Sequence, residues 1–227
     1  MTLTFDPARR LFDGGDFLEL IAQSGRDAQE RALLEPRVRV IVANALALAG
    51  HSEEAYELGK IDCSPTNPVR LRAQAEWTCG LSRWRQADIA AAINHARTAV
   101  RLARESKDPQ AIAWAHLHLF RFLIERGPVD AIAAALADAR KSVANSGSPQ
   151  ATAYLHNCVA VLEGQTGRFD EATRHLDIAE ALLRVEPNSW LTGSMHMHRG
   201  SIACATCDFL AGAAEFVSSP VRFTVPR

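Results

Sequence analysis

The octet PQAIAWAH begins at Pro109 and PQATAYLH begins at Pro149. Forty positions separate them, and six of the eight places are identical or exchange Trp for Tyr. A fixed period of that length marks a repeat array, and it constrains the fold more than any other feature of the chain. Prolines trace the same period. Pro68, Pro109, Pro149 and Pro187 follow one another at close to that step, and Pro36 precedes them at a slightly shorter one. Asn67, Asp108 and Ser148 stand before three of them. Each can cap a helix, and Pro suits the first helical position because no N–H is needed there.

Glycines give a second ruler. Gly50 precedes Ala55, Gly127 precedes Ile132 and Gly167 precedes Ala172, each time by five places. The spacing predicts a helix ended by Gly in the left-handed conformation, then a polar cap, then a second helix. The second helices superpose as well. AINHARTAVRLARE (92–105) aligns with ATRHLDIAEALLRV (172–185) at twice forty, and IAAALADARKSVAN (132–145) falls between them. Each unit is therefore a helical hairpin. One hairpin cannot cover its own apolar face, whereas stacked neighbours bury a continuous core. The expected fold is all-α: a right-handed α-solenoid of about five helix-turn-helix repeats, with the first and last incomplete.

The expected units run about 68–108, 109–148 and 149–187. A hairpin within 27–61, broken at Pro36, precedes them, and a fifth begins near Ser189 with its second helix near Asp208. Residues 1–14 are expected to be a loose start and 14–25 an end-capping helix. The resulting division is 1–35 as an N-terminal partial repeat or cap, 36–215 as the repeat domain, and 216–227 as an irregular tail. The missing final cap raises the expectation that the chain is part of a longer one.

This pattern resembles the tetratricopeptide repeat. Ala43, Gly80, Ala160 and Gly200 fill the small position of the first helix, and Phe120 departs from it. GHSEEAYELGKIDCSP and GRFDEATRHLDIAEALLRVEP are the closest matches. Units with this forty-position step are similar to the longer variety found in bacterial signalling proteins and transcription regulators. The resemblance implies a concave groove lined by first helices. It places Gln74, Trp77, Leu81, Trp84, Trp114, Leu117, Arg121, Tyr154, Asn157, Val161, Ser194 and Met197 on that face. Trp, Tyr and Arg are the residues that anchor interfaces. Asn157 matches one place of a carboxylate clamp, but no Lys accompanies it.

A net charge of −1 gives no basic footprint for nucleic acid or an acidic membrane. No apolar run reaches the roughly 18 residues of a membrane span, and the start carries no signal-peptide core. Five cysteines, an odd count in apolar contexts, read as reduced thiols in a cytoplasm. Phosphate loops, GxGxxG, HExxH and GxSxG are all missing from the sequence, so no catalysis, metal or cofactor is expected.

Two His/Cys patterns need weighing. SMHMHRGSIACATC (194–207) sets His196 and His198 before Cys204 and Cys207. At ~1.5 Å per helical residue these span too far for one metal ion, so packed thiols are the expectation. His116, His156 and His196 recur at the same forty-position step, and Glu76 extends the column. They read either as hydrogen-bonding residues between helices or as a pH-responsive or anion-reading surface. They are also the one group that an enzymatic reading could use.

The function expected from these features is a non-catalytic scaffold that presents its groove to a protein, a peptide or helix, or another domain of a longer chain. The competing reading is the sensor region of a transcription regulator, binding a small ligand or restraining an output domain.

Overall fold

Capping explains where the helices start. In the computed structural model, which describes residues 3–218, Pro109 opens α8 (Pro109–Arg126) and Asp108 accepts the N–H groups of Gln110 and Ala111. Pro149 opens α10 (Pro149–Gln165) under Ser148, which accepts the Ala151 N–H. Pro36 opens α4 (Pro36–Leu48) under the Glu35 carboxylate. One expected start is displaced. α6 (Val69–Arg85) begins after Pro68, and Asn67 donates instead to the Asp62 carbonyl. α12 (Ser189–Ala205) begins where the fifth unit was expected and is capped by Asn188.

The partners of these first helices are α5 (Ser52–Asp62), α7 (Ile89–Ser106), α9 (Val129–Ser146), α11 (Phe169–Val185) and α13 (Phe209–Ser218). The turn before α7, α9, α11 and α13 passes through positions 87, 127, 167 and 207, in step with the repeat. Ala87, Gly167 and Cys207 have positive φ there, at 61°, 76° and 64°. Gly127 does not: it is extended, with φ −76° and ψ 155°. Pro128 follows it and disfavours helical geometry in the residue before. The expected left-handed Gly thus fails at the one turn where Pro comes next. Cys207 of the CxxC is simply the turn residue of the last hairpin, exposed and in a helix-ending conformation.

Each first helix packs on its own partner and on the first helices of the units before and after, which makes the α-solenoid. Among the described residues there is no strand, and none of their helices is long and apolar enough to cross a membrane. Small residues let the hairpins close. Ala55, Ala92, Ala99, Ala139, Ala172 and Ala179 have essentially no exposed surface. A Cβ added at Gly80 would sit 3.2 Å from the Ala92 carbonyl oxygen of the facing helix. Phe120, the departure from the small position, is wholly buried in the same cluster as Ala135 and Ala139.

The N-terminal region differs from expectation. Residues 5–14, expected to be loose, form α1 (Phe5–Gly14), followed by α2 (Phe17–Gln23) and the short α3 (Ala28–Ala32). Phe5, Leu11 and Phe12 pack on a cluster that includes Ile41, Leu81 and Phe122, together with Trp84 and Trp190. α1 therefore lies against α4 and reaches α12, at the opposite end of the array. The junction is tight. Gly15 turns in the left-handed region at φ 81°, and a Cβ on it would meet the Ser189 Cβ at 2.6 Å. The end of the chain also departs from expectation: α13 carries helix to Ser218, and the rest of the expected tail lies outside the described residues.

Candidate functional site

α1 bridges α4 and α12, and a partly open cavity of about 450 Å³ lies between it and the first helices of the array. Its wall draws on α1, α4, α6, α8, α10 and α12. Four residues expected on the groove line it: Gln74, Trp77, Leu81 and Trp114. They are joined by residues not expected there. Ile41 and Asn44 come from α4, Gln110 and His118 from α8, Gln150 from α10 and Trp190 from α12.

The repeat explains part of this set. Positions 70, 110, 150 and 190 are equivalent in successive first helices, and Arg70, Gln110, Gln150 and Trp190 all face the cavity. The two Gln belong to the repeated octets, so their common fate was available from the sequence. His118 was not. Its equivalents in the neighbouring units, Thr78 and Cys158, share no chemistry with it, and the imidazole returns only two units on, at His198.

The other expected groove residues lie elsewhere. Leu117 has no exposed surface and belongs to the core. Tyr154 is buried behind Trp114, its ring 5.5 Å from that indole. Asn157 is buried, donating to Ser194 Oγ at 3.0 Å and accepting from His198 Nδ1 at 2.8 Å. Trp84 stacks on Phe122 at 6.2 Å, and the Arg121 guanidinium lies 4.8 Å from its centroid. Arg121 also pairs with Glu125 at 2.6 Å. Val161 and Met197 are half-buried on α10 and α12.

An aromatic ribbon crosses four first helices. Trp77 and Trp114 lie 5.7 and 6.1 Å from the His118 ring, Trp114 meets Tyr154, and Tyr154 meets Trp190 at 5.4 Å. Such centroid separations are those of favourable ring contacts. Burial in this apolar setting holds the His118 pKa down at about 4, so the ring is neutral at ordinary pH. Its Nδ1 is buried without a hydrogen-bond partner. Burial also drives the Tyr154 hydroxyl well above its usual range and the Cys158 thiol up to about 12. Neither is an available nucleophile or base near neutrality.

Five charged residues, Arg9, Asp13, Glu35, Arg37 and Arg70, also line the cavity, and Arg37 is the one cation among them without an ion pair. Arg9 pairs with Asp13 at 2.7 Å, Arg70 with Asp108 at 2.8 Å, and the Arg37 guanidinium lies 3.7 Å from the Phe5 centroid. Glu35 caps α4.

The polar column of Glu76, His116, His156 and His196 is separate from the cavity. Its members pair across each hairpin with the residue nineteen places on. Glu76 meets His95 at 2.8 Å, His156 meets His175 with Nδ1 atoms 2.8 Å apart, and His196 meets Glu215 at 2.6 Å. His116 finds Ala135 there and turns instead to Arg104 at 3.3 Å. Burial lowers the pKa of His116, His156 and His175, with the Arg104 cation adding at His116 and the facing ring adding at His156. Among the described residues no three His, Cys, Asp or Glu side chains converge as metal ligands.

The fold is similar to that in the crystal structure of BtubC (BKLC) from P. vanneervenii. The TM-score is 0.56, with 98% of this chain and 94% of that one covered at 14% identity. At that identity the likeness is one of fold alone. No family model matches the sequence, and no curated protein matches it.

Proposed function

We propose that this chain is a non-catalytic, tetratricopeptide-type sensor module that binds a small molecule in the cavity beside α1. One observation carries the reading: the concave face is narrowed by the chain's own first helix, which packs on α4 and reaches α12. The remaining space of about 450 Å³ is of the size that small-molecule sites have, ~300–1,000 Å³. Occupancy would tighten α1 between α4 and α12, and that movable closure is what a regulator would read, whether through a partner protein or another domain. A cytoplasmic setting suits the free thiols.

The scaffold reading stands second, and α1 itself favours it: a ten-residue helix already sits on that face. A competing peptide would have to displace Phe5, Leu11 and Phe12, at a cost of roughly 5 kcal/mol for three partly buried side chains. The two readings separate in a thermal-shift screen of small molecules and of peptides, run on the wild type and on Phe12→Asp, which loosens α1. Small molecules should stabilise the wild type and lose effect in the variant. If peptides bind, they should bind the variant better. Peptide binding of equal strength in both chains, with no small-molecule effect, would overturn the sensor reading.

A further inference from the structure

Resting on that small-molecule reading, we infer that the ligand is a small acidic sugar. Its carboxylate meets Arg37, its hydroxyls meet a set of carboxamides, and its C–H face lies on Trp77 and Trp114. Three observations carry this chemistry. The first is Arg37. It lines the cavity, and its guanidinium lies 3.7 Å from the centroid of Phe5 on α1. Stacking on a ring leaves the N–H edge of a guanidinium free, and that edge suits a carboxylate fork. Arg37 has no ion pair among the described residues, whereas Arg9 and Arg70 are held by Asp13 and Asp108. The neighbouring Glu35 turns Oε1 to the Arg37 backbone N–H, at 3.2 Å, instead of to the guanidinium. A ligand carboxylate therefore finds one cation open to it.

The second observation is the set of carboxamides. Six Asn and Gln side chains line the cavity. Asn67 is engaged by Asp62, and Asn188 caps α12. Asn44, Gln74, Gln110 and Gln150 have no side-chain hydrogen bond among the described residues. They stand on four successive first helices, α4, α6, α8 and α10. Each carboxamide offers a donor and an acceptor together, as each hydroxyl does. An apolar ligand would strip water from these groups and return no bond. Hydroxyls around a ring point in several directions, which side chains from four helices can meet. The amides of a short peptide lie along one line.

The third observation is flat apolar surface beside these polar groups. Trp77 and Trp114 are half-buried in the wall, flanking the His118 ring at 5.7 and 6.1 Å. A pyranose has an apolar C–H face and a polar rim, so it uses indoles and carboxamides at once. The stacking of Arg37 on Phe5 also ties the site to α1, the helix that the sensor reading makes movable.

The test is a ligand-detected NMR titration of the full chain with glucuronate, glucose and cyclohexanecarboxylate. It is run on the wild type, on Arg37→Met, and on Gln110→Leu combined with Gln150→Leu. Glucose lacks the carboxylate, and cyclohexanecarboxylate lacks the hydroxyls. Glucuronate should bind the wild type about 10-fold more tightly than either. Arg37→Met should bring glucuronate down to the level of glucose and leave glucose unchanged, which also reports that the variant is folded. The double Gln variant should weaken both sugars about 10-fold and leave cyclohexanecarboxylate unchanged. Glucose binding as tight as that of glucuronate overturns the role of Arg37. Equally tight cyclohexanecarboxylate overturns the role of the carboxamides. No response to glucuronate overturns the ligand class. If the thermal-shift screen then still finds a small molecule that loses its effect in Phe12→Asp, the sensor reading survives. If it finds only peptides, both readings fall.

Discussion

Acid should destabilise this protein through His118, and the size of the effect follows from its surroundings. The ring is buried among Trp77, Trp114, Phe122 and Tyr154, and burial alone moves its pKa from 6.5 to about 4. The native state therefore stays neutral where the unfolded chain takes a proton. Below pH 6.5 the unfolded state binds the extra proton, so stability falls as pH drops, and the loss is complete near pH 4. The gap between the two pKa values corresponds to about 3 kcal/mol, of which about 2 kcal/mol is spent by pH 5. Against a typical total of ~5–15 kcal/mol, that is a large fraction. Urea titrations at pH 7 and pH 5 on the wild type and His118→Phe measure it. His198, also held at about 4 by burial and then by Arg121, remains in both chains and cancels. The wild type should lose about 2 kcal/mol more than the variant between the two pH values. An equal loss in both would mean that His118 is solvated or paired in solution, and would refute the argument.

Two further outcomes are expected. Arg39→Met removes the cation that meets Asp62 at 2.5 Å and the carbonyls of Ala32 and Leu34. It leaves a carboxylate with no exposed surface, which should cost about 3–5 kcal/mol in urea melts, while Arg39→Met with Asp62→Leu should recover most of it. Gly15→Val forces a β-branched residue into φ 81° and against Ser189. The left-handed conformation costs ~1–2 kcal/mol. Hydrogen exchange should quicken in α1 while α8 to α11 keep their protection.

The hairpins were legible because their punctuation repeats. Asp108, Ser148, Gly167 and the octets recur at one spacing, and local chemistry sets each boundary. Where one residue altered a turn, the period still held: Ala87 and Cys207 adopt positive φ at the place of Gly167. The groove was less legible. Trp77 lies on the cavity and Leu117 in the core, although 77 and 117 are equivalent positions. The two repeats use that position differently, and a period cannot reveal it. α1 escaped because FDPARRLF belongs to no repeat, and its partner Trp190 lies at the far end of the chain. His118 has its only repeat at His198, two units on, with Cys158 between them, and its importance comes from the rings that surround it.

The contact between Gly15 and Ser189 has a consequence for folding. An array of hairpins held only by neighbours behaves as a line: nucleation can begin anywhere, and the outermost units fray first. Here the two ends meet, so the line becomes a ring. Closing it joins residues far apart in sequence, and such contacts form late and slowly. The expected course is rapid assembly of the central hairpins, then one slower step in which α1 docks on α4 and α12. Once shut, the ring suppresses fraying at both ends, and the terminal units should unfold together instead of one at a time.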